Sequence, residues 1–309
     1  MPDVPDQDQV AQAGAYLRML LLRPGEYRAR WEKRMDRPGA GVIGYEAVAE
    51  VLEPAAPRLP GGAGLTEVEL TGIARRALEG VELSPPVAEA FIDEFGLTSR
   101  HARRLYDLLR GSPTVRVISG DTLPPPGLVR PGPPEHETLS LHELHVLGPD
   151  GRPAEHETIQ VIKAVRDRLT SVPYRFDTDE LVVEVIRGGR VSQCPYRITG
   201  SLYGVDILLP RPLAAGETAL MQYRTLFFYK SPPPPEFRRG VLRSTRDLTM
   251  WVKFDPARVP ARVYRARWDQ VDQARVVERE LVELDDELSV HHRFGTVERA
   301  IVGFCWEWR

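Results

Sequence analysis

Histidines are the side chains in this sequence with the clearest potential for metal or acid–base chemistry. Six of the seven lie after residue 135: His136, His142, His145, His156, His291 and His292. A zinc site needs neutral imidazoles that converge from one side. His142 and His145 are three residues apart on a predicted strand, which places them on opposite faces. The segment EHET occurs at 135–138 and again at 155–158, so His136 either pairs with His156 or lies at the far end of the strands. We therefore predict polar surface histidines, no metal and no cofactor.

Nucleophilic and nucleotide chemistry has little support in the sequence. Two cysteines, Cys194 and Cys305, are too few for a disulfide framework or a four-cysteine zinc site. Residues 39–44 match the spacing of a dinucleotide-binding loop, but no strand precedes them. Neither a Walker loop nor a G-x-S-x-G elbow occurs in the sequence. We predict a non-enzymatic protein with no catalytic residues, and an unrecognised enzyme is the weakest alternative.

Clustered arginines are the remaining candidates for function. Residues 1–110 carry 14 Lys/Arg and 17 Asp/Glu, and the chain as a whole has a net charge of −3. This balance excludes the strongly basic body of a non-specific nucleic-acid binder. Basic runs nevertheless occupy 18–37 and 100–110. They indicate either solvated helix faces or a surface that contacts phosphates.

Short capped helices would position these arginines. Thr66 and Glu69 have the spacing of a capping box, followed by apolar residues at helical intervals as far as Leu78. Ser84 and Pro85 predict the start of a second helix, and Gly96 predicts its end. Thr98 predicts the N-cap of a third helix, which Gly111 closes. Earlier helices are expected over 11–22, 27–35 and 45–52, interrupted by Pro and Gly.

The segment ARRALEGVELSPPVAEAFIDEFGLTSRHARRLYDLLRG resembles the later helices of XRE-type helix-turn-helix domains. The resemblance implies that Thr66–Glu79 is a recognition helix and that double-stranded DNA is the partner. The predicted DNA-contacting residues are Arg75, Arg76, Arg100, Arg103 and Arg104. In the family a short turn joins the two core helices, whereas residues 54–64 intervene here. Glu67, Glu69 and Glu79 would also repel phosphate. The alternative is therefore a protein-interaction adaptor whose bundle no longer binds DNA.

A proline-rich stretch and a change of periodicity mark the rest of the chain. Residues 123–134 hold six prolines and two glycines, which is typical of a semi-rigid linker. Beyond it, two-residue alternation predicts about eight to ten short strands. Gly148–Gly151 predicts the turn of one hairpin, and the pair Gly188-Gly189 predicts the turn of another. This pattern is typical of an antiparallel sandwich.

Stretches such as LHELHVLGPDGRP and VHHRFGTVERAIVGFCWEW resemble the β-rich regions of uncharacterised actinobacterial proteins that carry a helix-turn-helix-like front end. The predicted fold is α+β and multidomain, with an N-terminal helical bundle (a degenerate XRE-like helix-turn-helix) and an antiparallel immunoglobulin-like β-sandwich. The predicted divisions are a helical domain over 1–112, a Pro-rich linker over 113–137 and the sandwich over 138–309.

The predicted function is a non-enzymatic DNA-binding transcriptional regulator. Its sandwich senses a ligand, forms a homodimer or binds a protein partner. No apolar run approaches the ~18 residues of a membrane span, and the first residues, MPDVPDQDQ, have the wrong chemistry for a secretory signal. We therefore expect a cytoplasmic protein with no membrane partner.

Overall fold

The chain divides into two compact units. A computed structural model describes residues 5–35, 42–119, 135–199, 202–270 and 274–309. The first unit is Met1–Val117 and the second is Ile118–Arg309, so the boundary lies inside the first strand. The predicted linker segment 123–134 lies outside the described residues.

Among its described residues, the first unit holds six α-helices and two 3-10 helices. The α-helices are α1 (Gln7–Leu22), α2 (Glu26–Glu32), α3 (Tyr45–Leu52), α4 (Glu67–Leu78), α5 (Pro85–Phe95) and α6 (Ser99–Leu109). The 3-10 helices, Glu53–Arg58 and Gly62–Gly64, lie between α3 and α4. They occupy the place where a helix-turn-helix would have a short turn.

The predicted cap residues stand where the sequence placed them. The Glu69 amide donates to the Thr66 hydroxyl at 3.3 Å, and the Thr66 amide donates back to the Glu69 carboxylate at 2.8 Å, so the capping box is confirmed. Thr98 accepts from the His101 amide at the start of α6. Gly96 ends α5 at φ 58°, a left-handed conformation that glycine adopts without steric cost.

Large aromatic side chains fill the centre of the first unit. Tyr16, Trp31, Phe91 and Phe95 are fully buried. The Trp31 indole nitrogen donates to the Leu21 carbonyl at 3.0 Å, so its polar atom is satisfied inside the core. Phe91 and Phe95, one turn apart on α5, stack with ring centroids 5.7 Å apart.

The strands form two sheets, and they lie in the second unit apart from β1, whose residues span the boundary. The strands are β1 (Val115–Ile118), β2 (His136–Leu147), β3 (Pro153–Ala164), β4 (Leu169–Phe176), β5 (Leu181–Arg187), β6 (Arg190–Val191), β7 (Tyr196–Thr199), β8 (Leu202–Leu213), β9 (Thr218–Phe227), β10 (Glu236–Lys253), β11 (Arg262–Trp268), β12 (Val276–Val282) and β13 (Ser289–Glu307). The larger sheet has nine strands in the order β1-β5-β9-β3-β2-β10-β13-β11-β12. The smaller has the order β4-β8-β6, with β7 also paired to β8.

One core lies between the two sheets. Alternate apolar side chains of β3, β5 and β9 pack against those of β4 and β8, with Val183, Met221 and Val205 among the fully buried. Burial of this kind contributes about 25 cal/mol per Å² of apolar surface and is the main favourable term for the fold. The turn Gly188-Gly189 does not form the predicted hairpin. It passes the chain from β5 in one sheet to β6 in the other.

A second core lies inside a bent ribbon. Strands β10 and β13 pair antiparallel along their length, with register shifts between Val241 and Thr249. Phe254, just after β10, contacts Trp306, which lies near the start of β10 in the register; their ring centroids are 5.4 Å apart. The ribbon therefore bends back on itself, which register shifts permit.

The predicted fold class is wrong. Strands take up 43% of the residues and helices 27%, and the main sheet has nine strands, more than either sheet of an immunoglobulin domain. The sheet is mixed, because β2 and β10 run parallel, with Leu144 beside Trp251. The 3-10 helices before α4 replace the turn that a helix-turn-helix requires. Alternation of apolar and polar residues predicts strands, but it does not predict which strands pair. The parallel pairing of β2 with β10 could therefore not be predicted from the local sequence.

No helix in the described ranges is both long enough and apolar enough to span a bilayer.

Candidate functional site

The first two predicted DNA-contacting residues, Arg75 and Arg76, are exposed near the end of α4 but engaged with neighbours. The Arg75 guanidinium lies 5.1 Å from the centre of the Tyr45 ring. Arg76 donates to Glu82 at 3.0 Å. The Tyr45 hydroxyl in turn donates to Glu79, so this end of α4 is a mixed surface rather than a basic one.

The remaining predicted residues lie on α6 and differ in exposure. Arg100 and Arg103 are exposed, and they share one side of the helix with the exposed Arg110. Arg104 is fully buried, a position that does not favour the predicted contact with DNA. The neighbouring His101 is hydrogen-bonded through Nδ1 to the Tyr16 hydroxyl, with 2.6 Å between the two atoms. Burial lowers the pKa of His101 to about 4.

A polar cluster lies in the second unit, and we call it the histidine cluster: Glu143, His145 and His156, which are buried, with Phe237 and Arg239, which are half-buried. His145 and His156 face each other across the β2–β3 hairpin, and Glu143 projects from the same side of β2 as His145. Glu143 and both histidines expose 5% or less of their surface. The prediction that these histidines are surface residues is wrong for His145 and His156, whereas His142 is exposed as expected for the opposite face.

Ion pairing and ring stacking hold the histidine cluster. Arg239 donates two hydrogen bonds to Glu143, one of them at 2.9 Å. The His156 Nε2 atom lies 3.3 Å from the same carboxylate. Because a carboxylate only accepts, the neutral His156 ring carries its proton on Nε2. The His145 ring stacks on Phe237 at 4.5 Å between centroids.

Burial decides the charge state of the histidine cluster. It lowers the pKa of His156 to about 4 and lowers the pKa of His145 well below its usual range, with the neighbouring imidazole adding to the effect on His145. Neither ring nitrogen of His145 has a hydrogen-bond partner within the described residues. Both rings are therefore neutral at pH 7, and Glu143 with Arg239 is the only charged pair of the cluster.

The histidine cluster does not form a metal site. Among the described residues, no group of three His, Cys, Asp or Glu side chains is arranged to hold a metal ion. The Glu143 carboxylate is instead paired with Arg239, and the His145 ring stacks on Phe237.

The opposite side of the large sheet, which we call the outer face, combines apolar and charged side chains. Ile159, Leu220 and Trp251 are exposed on it. Arg224 lies on the same face and pairs with three carboxylates, those of Glu155, Glu157 and Glu184. Exposed apolar groups beside satisfied charges are a common composition of protein-binding surfaces.

The last strand of the large sheet, β12, is exposed along nearly its whole length. Val277 and Leu281 expose 64% and 60% of their surface, more than any other large apolar side chain described in the second unit. Their side of the strand also carries Arg279, which lies over the Tyr264 ring at 4.5 Å. Glu278 and Glu280 point to the other side and pair with Arg267 and Arg265 of β11. An exposed apolar edge of this kind is a place where another chain can add.

Neither the histidine cluster nor the exposed edge strand β12 was predicted from the sequence. The turn Gly148–Gly151 closes the β2–β3 hairpin, with the Gly148 amide donating to the Arg152 carbonyl at 2.8 Å. Counting outward from that turn brings His145 opposite His156, so the signal was present in the turn rather than in the repeated EHET. The position of β12 at a sheet edge carries no local signal in the sequence.

Comparison with known proteins gives only distant similarity. No family model matches the chain, and no curated protein matches it in sequence. A candidate protease from Parabacteroides distasonis aligns with 55% of this chain at 9% identity and a TM-score of 0.36. An M1 zinc metallopeptidase from Deinococcus radiodurans aligns with 56% at 13% identity and a TM-score of 0.26. The chain spans about 40% of the length of these structures, 40% and 43% respectively. Similarity at this level decides neither the family nor the activity, and the resemblance to actinobacterial proteins stays a prediction.

Proposed function

We propose that the chain is a protein-interaction adaptor and that its binding surface is on the β-rich unit. The observation that carries the proposal is the exposure of Val277 and Leu281 on the edge strand β12. Large apolar side chains on soluble proteins are mostly buried, and grouped exceptions mark surfaces that a partner covers. The exposed Ile159 and Trp251 on the outer face add a second apolar area to the same unit.

The positions of the predicted arginines favour this function over DNA binding. Arg104 is buried, Arg76 is paired with Glu82, and Arg75 packs on Tyr45. A phosphate-contacting surface would need such guanidinium groups to be exposed and in excess over carboxylates. These contacts support the adaptor as the better proposal.

A peptide display library panned against the full chain tests the adaptor. We expect enrichment of binders that lose affinity for a Leu281→Lys or a Trp251→Ser variant and keep it for an Arg100→Ala/Arg103→Ala variant. Both groups of substitutions are on exposed side chains, so the fold is retained. Absence of enrichment, or binders that respond only to the arginine variant, contradicts the adaptor.

DNA binding through α6 is the second candidate. It is favoured by one observation, the exposure of Arg100, Arg103 and Arg110 along one side of that helix. Gel-shift titration of the full chain at two salt concentrations tests it. The expected result is binding that weakens steeply with salt and is lost in the Arg100→Ala/Arg103→Ala variant. No shift at low salt removes this candidate.

A further inference from the structure

We propose that β12 accepts an extended basic segment of a partner protein as an additional strand of the large sheet. The proposal rests on the proposed adaptor function and names the chemistry of the partner. Strand addition is a common mode of peptide recognition, in which main-chain hydrogen bonds supply affinity and alternate side chains supply specificity.

The backbone of β12 is available for such pairing. The strand is the last in the order of the large sheet, and within the described residues it pairs with β11 alone. Antiparallel pairing with β11 runs from Val263 opposite Val282 to Trp268 opposite Val276. The other edge of β12 therefore presents the alternating N–H and C=O groups that an added strand would bind.

The two sides of β12 define the side chains of the partner. On one side stand Val277, Arg279 and Leu281, and on the other stand Glu278 and Glu280. Opposite-charge and apolar cross-strand pairs stabilise a sheet, and like charges directly opposite destabilise it. The complementary strand reads apolar, basic, polar, basic, apolar.

The charge around β12 favours the same partner. Residues 276–284 contain three glutamates, Glu278, Glu280 and Glu283, and one arginine. Charges on an edge strand often serve to prevent pairing. Here Glu278 and Glu280 lie beside Arg267 and Arg265 of β11 but keep 71% and 64% of their side chains exposed, so a basic segment can still reach them, and Val277 and Leu281 are uncharged and exposed.

A second copy of the chain fits this edge poorly. Two identical antiparallel strands related by a two-fold axis must place one residue opposite itself. The register that uses the whole of β12 places Arg279 opposite Arg279 and Glu278 opposite Glu280. Like charges would then face each other at the three central positions, so a basic partner segment is the better occupant.

Fluorescence anisotropy with defined peptides tests the proposal on the full chain. The probe is a labelled peptide Thr-Val-Lys-Thr-Lys-Val-Thr, compared with the same peptide carrying Glu in place of Lys. We expect the basic peptide to bind roughly tenfold tighter, because two cross-strand charge pairs change sign. Methylation of alternate backbone nitrogens should abolish binding, since it removes main-chain donors without changing side-chain charge.

Substitutions on β12 complete the test. Leu281→Lys should weaken the basic peptide roughly fivefold, whereas Leu220→Lys, an exposed apolar residue on β9, should not. Glu278→Gln with Glu280→Gln should remove most of the preference for the basic peptide, and it provides a second variant if Leu281→Lys is poorly folded.

Each other outcome overturns the proposal. Equal binding of the basic and acidic peptides, or undiminished binding of the methylated peptide, contradicts strand addition. A dimer that dissociates in the Leu281→Lys variant would assign the edge to a second copy. If no probe peptide binds but library binders respond to Trp251→Ser, the inference fails while the adaptor function stands; if neither occurs, both fail.

Discussion

Ionisable side chains are usually exposed and apolar side chains usually buried, and two regions of this molecule depart from that distribution in opposite ways. In the histidine cluster, ionisable groups are enclosed: Glu143, His145 and His156 are almost fully buried. In β12, apolar groups are in solvent: Val277 and Leu281 expose more than half of their surface. Both regions lie in the same sheet, so neither can be attributed to a generally loose or polar structure.

This difference indicates that the histidine cluster contributes to the stability of the fold and that β12 offers a surface for binding. A buried charge is tolerated only when it is paired, and Arg239 provides that pairing for Glu143. Exposed apolar groups cost little in folding but leave surface that a partner can cover. We therefore expect changes in the histidine cluster to alter the free energy of unfolding, and changes in β12 to alter binding alone.

Removing the carboxylate of the histidine cluster should have the largest effect. Glu143→Ala leaves Arg239 without its carboxylate partner and His156 without its acceptor. We expect a loss of about 3–5 kcal/mol in the free energy of unfolding, measured by urea denaturation. Glu137→Ala on the same strand is the control, because the exposed Glu137–Arg246 pair should contribute little. If both variants lowered the free energy of unfolding equally, the claim that the buried Glu143 supports the fold more than an exposed carboxylate does would be contradicted.

Lowering the pH should have the second-largest effect on the free energy of unfolding, through the histidine cluster. His156 has a pKa of about 4 in the fold and about 6.5 in the unfolded chain, so below pH 6.5 the unfolded state binds the proton first. Stability is then lost as the pH falls from 6.5 to about 4, by on the order of 3 kcal/mol for this group. Urea denaturation between pH 7.5 and 4 measures it. A His156→Gln variant with an unchanged pH profile would show that the loss arises elsewhere.

Replacing His145 should produce a smaller change of opposite sign. Neither of its ring nitrogens has a partner within the described residues, so His145→Leu removes unpaired polar atoms from a buried position. We expect a gain of about 1 kcal/mol in the free energy of unfolding. His142→Leu, on the exposed face of the same strand, should produce no such gain. A marked loss of stability in His145→Leu would reveal a polar contact that the structure does not contain.

The smallest effect on stability should come from β12. Leu281→Lys places a charge where the side chain is already exposed, and we expect the free energy of unfolding to stay within about 0.5 kcal/mol of the original value. Thermal unfolding followed by circular dichroism measures it. A large loss would mean that Leu281 supports the fold, and the proposed binding edge would lose its basis.

Local features of this fold were predictable from the sequence, because short-range chemistry determines them. The Thr66–Glu69 capping box, the Gly96 cap and the β2–β3 hairpin all depend on residues a few positions apart. The prediction of the fold class was wrong because the arrangement of the sheets depends on pairing between strands that are distant in the sequence. The parallel contact between β2 and β10 joins residues about a hundred positions apart, and Gly188-Gly189 joins two sheets instead of two paired strands.

The candidate sites followed the same division. His145 and His156 became a pair only once the hairpin register was fixed, and Arg104 became a core residue only once α6 was packed. The apolar residues of β12 are ordinary in composition, and their significance comes from the edge position, which depends on the order of all nine strands.

Hydrogen exchange of the full chain with the basic probe peptide tests the central claim most directly, since it reports main-chain pairing residue by residue. We predict that alternate amides of Val276–Val282, those on the edge that does not face β11, gain protection when the peptide is added, while the amides of β2 around the histidine cluster are unchanged. Protection that appears elsewhere, or no change in β12 at saturating peptide, would contradict it.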